Sequence, residues 1–218
     1  MADFDMPESR IADDFSTSLS TIDHCRGMTD AELMAVVKPR PLTKFDYWQL
    51  PETGPRYQLI NGDLYMAPAP NRFHQDISRT IQFEILKYLE REPRGLIYNA
   101  PFDVVLTDLN VFQPDLAFFS RERREVLTEK GAEGSPDLVV EILSARTAKL
   151  DLDQKRLVYA RTGVGELWIV DPDKLEILVF DLRVDPDVPA ATLRQNDLLR
   201  SRFLPGFELA VKTAFQRF

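Results

Sequence analysis

Between residues 72 and 91 apolar side chains recur at Phe73, Ile77, Ile81, Ile85, Leu86 and Leu89, with polar residues between them. That three-to-four spacing predicts an amphipathic helix, which Pro93 and Gly95 end. Upstream, two short apolar runs at 57–60 and 63–66 flank Asn61-Gly62. This dipeptide predicts a tight hairpin, because both central residues of a type I′ turn need positive φ. Downstream the runs shorten again and predict strands at 96–106, interrupted near Pro101, at 115–120 and at 138–143. Helical spacing returns over 151–161 and stops at Gly163. Two further strands, 166–170 and 176–180, are joined by a turn containing Pro172.

The flanks carry less pattern. Residues 1–28 are polar and acidic without steady periodicity, which predicts a mobile tail. A helix start at Thr29-Asp30 is broken by Pro39 and Pro41, and a short helix over 43–50 ends at Pro51. The segment with Pro186, Pro189 and Pro205-Gly206 predicts loops and edge elements. There is no internal repeat. Helix, three strands, helix, strand suits an antiparallel meander followed by a right-handed crossover into parallel pairing. The expected class is α/β, a mixed sheet flanked by helices, with 1–40 as the acidic segment and 41–218 as the domain.

Composition narrows the chemistry. One cysteine, Cys25, and two histidines, His24 and His74, exclude a disulfide framework and a thiol- or histidine-rich metal site. No apolar run approaches the ~18 residues of a membrane span, and the acidic start does not look like a signal peptide. The cytoplasm is the default expectation. The net charge of -8 opposes binding to phosphate polymers. Residues 1–32 hold eight Asp or Glu against two Arg, however, and so account for most of that excess. Local runs such as Arg121-Glu122-Arg123-Arg124 remain basic.

Three places could carry chemistry. In Leu138-Val139-Val140-Glu141-Ile142-Leu143, alternation puts Glu141 on one face of a strand apolar enough to be buried on both. A carboxylate there needs a partner, either a structural cation or a functional one. Asp115 follows Pro114 and opens another apolar strand, so it is either a turn residue or a second carboxylate at the same end of the sheet. Two facing carboxylates repel, and a divalent cation resolves the conflict. Asp151, Lys155 and Tyr159 are spaced to share one helix face, which makes either a surface ion pair or a lysine held over that site. His74, Trp168 and Asp171 read most simply as structural.

The motifs Gln113-Pro114-Asp115, Pro136-Asp137-Leu138-Val139-Val140-Glu141, Asp151-x-x-x-Lys155-x-x-x-Tyr159 and Leu167-Trp168-Ile169-Val170-Asp171-Pro172 together resemble the Uma-type family of the PD-(D/E)xK nuclease superfamily. The likeness extends from residue 41 to 213 through Tyr57-Gln58-Leu59-Ile60-Asn61-Gly62-Asp63, His74 and Pro205-Gly206-Phe207-Glu208. It implies a restriction-endonuclease-like fold with Asp115, Glu141 and Lys155 as catalytic residues. Asp115, Glu141 and the Ile142 carbonyl would hold Mg²⁺, with Mn²⁺ as a substitute; Gln58, His74, Asp151 and Tyr159 are accessory candidates. Leu143 stands where the superfamily pattern has lysine, so the resemblance moves that role to Lys155. Gln58, Asn61 and Ala145 stand where the family usually has glutamate, aspartate and proline.

Two functions therefore compete. One is a metal-dependent endonuclease acting on DNA, for which a homodimer would supply two cutting sites. The other is an interaction protein that keeps the fold without the catalysis. Whether Asp115, Glu141 and Lys155 converge in a cleft discriminates between them.

Overall fold

The computed structural model describes residues 40–51, 56–67, 69–144 and 154–216. By contact density the chain divides into Met1–Arg40 and Pro41–Phe218, and all that follows concerns the second unit. The expected tail and the helix starting near residue 29 lie outside the described residues.

Helix α1 (Lys44–Tyr47) is short and starts at Thr43, whose side chain shares a capping box with Asp46. Strands β1 (Arg56–Ile60) and β2 (Asp63–Ala67) form the hairpin, with Asn61 at φ 52° and Gly62 at φ 85° in the turn that the sequence requires. Helix α2 (Arg72–Arg91) is capped by Asn71, whose side chain accepts from the His74 N–H at 2.9 Å. Its stripe of Ile77, Ile81, Ile85, Tyr88 and Leu89 is buried.

The expected strand at 96–106 is two strands. Gly95–Asn99 (β3) and Asp103–Thr107 (β4) are separated at Pro101 and enter different sheets. There follow β5 (Asn110–Phe112), β6 (Leu116–Ser120), a 3₁₀ turn (Arg121–Val126), β7 (Gly131–Glu133) and β8 (Leu138–Ile142). A π-helical stretch at 154–155 leads into α3 (Arg156–Thr162). Gly163 closes that helix at φ 92°, the left-handed conformation in which Tyr159 and Ala160 carbonyls accept from the following N–H groups. Strands β9 (Glu166–Asp171), β10 (Glu176–Asp181), β11 (Ala191–Leu193), β12 (Leu198–Leu199) and β13 (Leu209–Ala210) precede α4 (Val211–Ala214).

Among the described residues the larger sheet has the order β11-β10-β9-β8-β6-β3. The pairs β3–β6 and β6–β8 are antiparallel, and β8–β9 is parallel across α3. This is the expected meander and crossover. The second sheet, β2-β1-β5-β4-β7, was not anticipated. Its strands β5 and β7 are three residues long, too short for alternation to show.

Strand alternation divides the core. Leu138, Val140 and Ile142 pack with the α2 stripe, Leu116, Phe118 and Trp168. Val139 points the other way, into a cluster with Ile60, Phe112, Val158, Tyr159, Leu167 and Ile169. Glu141 shares the Val139 face by alternation and so lies on the α3 side of the sheet.

Candidate functional site

Antiparallel pairing sets Leu116 opposite Val140, which brings the residue before β6 to the end of β8 that carries Glu141. Asp115 Oδ2 there accepts the Ile142 backbone N–H at 2.7 Å. The chain entering Asp115 is held by Gln113. Its N–H donates to Gln58 Oε1 at 3.1 Å, and its Nε2 donates to Asp103 Oδ1 at 2.7 Å. Tyr47 Oη also donates to Asp103 Oδ1, at 3.0 Å. Burial, reinforced by the Asp103 carboxylate, raises the Tyr47 phenol well above its ordinary range, so it stays a donor.

Glu141 is 3% exposed and Lys155 2%. Lys155 Nζ lies 3.0 Å from each Glu141 oxygen. Tyr159, one helical turn further along α3, donates its hydroxyl to Glu141 Oε1 at 2.6 Å. The Phe112 and Tyr159 rings meet edge to face, and Lys155 Nζ lies over the Phe112 ring, 5.9 Å from its centroid. Water is thereby kept from a carboxylate and an ammonium that hydrogen-bond each other, an arrangement that offsets part of their desolvation.

His74 reaches the site from the first turn of α2. Its Nε2 lies 3.3 Å from Asp115 Oδ1, and its Nδ1 is buried without a hydrogen-bond partner among the described residues. Burial alone would lower the imidazole pKa. The contact with Asp115 and the charges of Asp115 and Glu141, helped by the Ile142 backbone, outweigh it and raise the value above the ordinary one.

The structure thus brings together Asp115, Glu141, Ile142, Lys155, Tyr159 and His74. Gln58 bonds to the strand that leads to Asp115 and touches neither carboxylate of the pair in any hydrogen bond described. Asp151 lies outside the described residues. Sequence reasoning gave no role to Phe112, Gln113 or Asp103, since an aromatic wall and a hydrogen-bonded brace leave no spacing signature. Asp171 is the turn residue expected, accepting from the N–H groups of Asp173 and Lys174 at 3.0 Å each. Trp168 is fully buried.

Among the described residues no three His, Cys, Asp or Glu side chains form a ready-made metal cluster. The chemistry of the donors nonetheless fits a divalent cation. Two carboxylates and a backbone carbonyl are hard oxygen donors, and His74 adds a buried imidazole nitrogen not matched by the protein.

A mixed sheet crossed by one helix, with an acid pair and a lysine at the sheet's end, defines a restriction-endonuclease-like fold. The family model described as "Uma2: Putative restriction endonuclease" matches residues 45–212, and the chain belongs to that family. Among solved structures it is similar to a putative nuclease belonging to DUF820 from Anabaena variabilis. The TM-score is 0.67 and the identity 21%, over 80% of this chain and 98% of that one. No curated protein matches the chain. No helix among the described residues is long and apolar enough to cross a membrane.

Proposed function

We propose that this protein is a divalent-metal-dependent endonuclease that hydrolyses DNA phosphodiester bonds in the cytoplasm. The observation that carries the reading is the buried Lys155–Glu141–Tyr159 cluster standing beside Asp115. Family membership supports the same chemistry.

Asp115, Glu141 and the Ile142 carbonyl would hold Mg²⁺, or Mn²⁺ in its place. Bound there, the cation would polarise the scissile phosphate and acidify a water. Lys155 supplies a compact positive charge that is fixed by the Glu141 carboxylate and the Phe112 face. Such a charge orients a nucleophilic water or offsets negative charge growing on the phosphate without reorganising. Tyr159 keeps Glu141 turned toward the lysine. The brace through Gln113 fixes the backbone from which Asp115 projects.

One observation favours a second reading, a nuclease fold that binds without cutting. Both Glu141 oxygens already face Lys155, so cation and ammonium compete for one carboxylate. Titrating Mg²⁺ and Mn²⁺ against supercoiled and linear DNA decides between the two. Nicking or linearisation that chelator stops, and that Glu141→Gln lacks, supports the endonuclease. Metal-independent retention of DNA without cleavage supports the second reading.

A further inference from the structure

Strand β3 borders the larger sheet, and among the described residues no strand pairs with its outer edge. Pairing with β6 fixes which of its backbone groups face outward. Just before β3 the Arg94 carbonyl accepts from the Arg121 N–H at 3.0 Å, and just after it the Ala100 N–H donates to the Asp115 carbonyl at 3.1 Å. Bonding alternates along an antiparallel pair, so Leu96 and Tyr98 also bond toward β6. The N–H and C=O groups of Gly95, Ile97 and Asn99 therefore point away from it. Exposed edges are ordinarily guarded by charge, proline or a bulge. Gly95-Leu96-Ile97-Tyr98-Asn99 carries no charge and no proline, and its register with β6 runs without a shift. Apolar side chains flank this edge on both faces. Ile97 packs with the α2 stripe, so Leu96, which is exposed, and Tyr98 lie on the other face. On the α2 face Gln82 Nε2 donates to Asn99 Oδ1 at 3.1 Å, which lays the helix alongside the strand. At ~1.5 Å per helical residue and ~3.3 Å per strand residue, the next turn brings the exposed Leu86 level with Ile97.

We propose that this edge joins a second copy of the chain, β3 pairing antiparallel with the partner's β3 about a twofold axis at Ile97. That register uses every outward group: Ile97 bonds to the partner's Ile97, and Gly95 to the partner's Asn99. The two Leu86 side chains then meet beside the axis. On the opposite face Leu96 lies across from the partner's Tyr98, in the closer, non-hydrogen-bonded kind of pair that suits an aliphatic and an aromatic group. Charge agrees with this occupant. One end of β3 is basic, with Arg94, Arg121 and Arg124 exposed and Arg94 held only at 3.6 Å by Glu92. The other end adjoins Asp115 through the Ala100 bond. Antiparallel pairing sets the partner's Arg94 opposite Ala100, two strand spacings or ~10 Å from the Asp115 backbone and within reach of an arginine side chain. Each copy thus lends a guanidinium to the acidic end of the other's sheet. The interface stands without the endonuclease reading; under that reading, the partner's Arg94 would meet a phosphate held beside Asp115.

The test uses the full chain without DNA or metal. Sedimentation across a concentration series should show a dimer in the parent and a monomer in Leu96→Lys, which puts a charge on the edge. Arg94→Glu should weaken the dimer on the order of tenfold at low salt, since it sets like charge beside Asp115. Cys25 is the one native cysteine, so Leu86→Cys in a Cys25→Ser background carries a single thiol near the proposed axis. Mild oxidation should link that variant to itself. Val184→Cys, exposed beyond β10 on the far side of the same sheet, should stay unlinked in the same background. A parent that remains a monomer at every concentration overturns the proposal. So does a dimer that Leu86→Cys fails to link. A dimer indifferent to Arg94→Glu overturns the placement of Arg94 beside Asp115. The cross-link decides without Leu96→Lys, so failure of that variant to fold does not protect the idea. None of these readouts involves cleavage, and their failure leaves the endonuclease reading to its own test.

Discussion

Lys155 Nζ stands 3.0 Å from both oxygens of Glu141, and neither side chain reaches solvent. A surface Asp151–Lys155 pair would contribute a few tenths of a kcal/mol; a buried pair behaves differently. Each charge is tolerable only in the other's presence. Lys155→Met should therefore lower unfolding stability by about 3–5 kcal/mol at neutral pH, because it strands a buried carboxylate. The Lys155→Met/Glu141→Leu double variant should recover most of that loss. A denaturant series on the four proteins measures the coupling, and additive losses would show that the two residues do not act as a pair.

Tyr159 offers a milder perturbation of the same carboxylate. Tyr159→Phe removes a 2.6 Å hydrogen bond to Glu141 while keeping the ring that Phe112 packs against. Hydrogen bonds to charged groups contribute about 1.5–3 kcal/mol, so the loss should fall below that of Lys155→Met. The comparison also separates position from charge. If Tyr159 merely fills core volume, Tyr159→Phe should melt with the parent protein.

Glu166 gives the pH dependence its sign. It is 4% exposed; burial raises its carboxyl pKa, and the Arg202 N–H, Ser201 and the Trp168 indole only partly oppose the rise. An acid whose folded pKa exceeds its unfolded value holds its proton more tightly when folded. Its contribution favours folding below the unfolded pKa and is lost as pH rises through the folded one. Stability should thus fall as pH climbs from about 4.5 through the raised value, and Glu166→Gln should flatten that part of the profile. Its readout is the slope between parent and variant, since the amide alters the absolute stability as well. An unchanged slope would remove Glu166 as its source.

How far the sequence disclosed this arrangement depended on the length of each signal. Helix α2 was readable because its stripe repeats over five turns, and the hairpin because Asn61-Gly62 admits few other conformations. That the chain entering β6 lies opposite the end of β8 followed from strand order. Lys155 and Tyr159 reach one carboxylate because Lys155 caps α3 and Tyr159 stands four residues further along it. What remained hidden was set by packing between distant segments. The chain at 96–106 divides between two sheets, and β5 and β7 are too short to alternate visibly. The depth of Lys155 and the reach of His74 depend on how α3 and α2 dock, which spacing within either helix does not encode.

Metal linkage bears most directly on the proposed activity. Two facing carboxylates alone would repel, and Glu141→Gln would then stabilise the metal-free protein. The geometry reverses that expectation, because Lys155 already neutralises Glu141 in a dry setting. In chelator Glu141→Gln should melt below the parent, since the variant leaves the lysine buried without its counter-charge. Adding Mg²⁺ or Mn²⁺ should raise the parent's melting point. At one hundred times the dissociation constant, linkage contributes about 2.7 kcal/mol. Glu141→Gln should gain far less, having lost one of the charged oxygens that hold the cation. Thermal scans of both proteins, with chelator and across a metal titration, measure the two effects separately. A parent indifferent to divalent ions, beside a variant weakened in chelator, would leave Glu141 with its structural ion pair and remove it from catalysis.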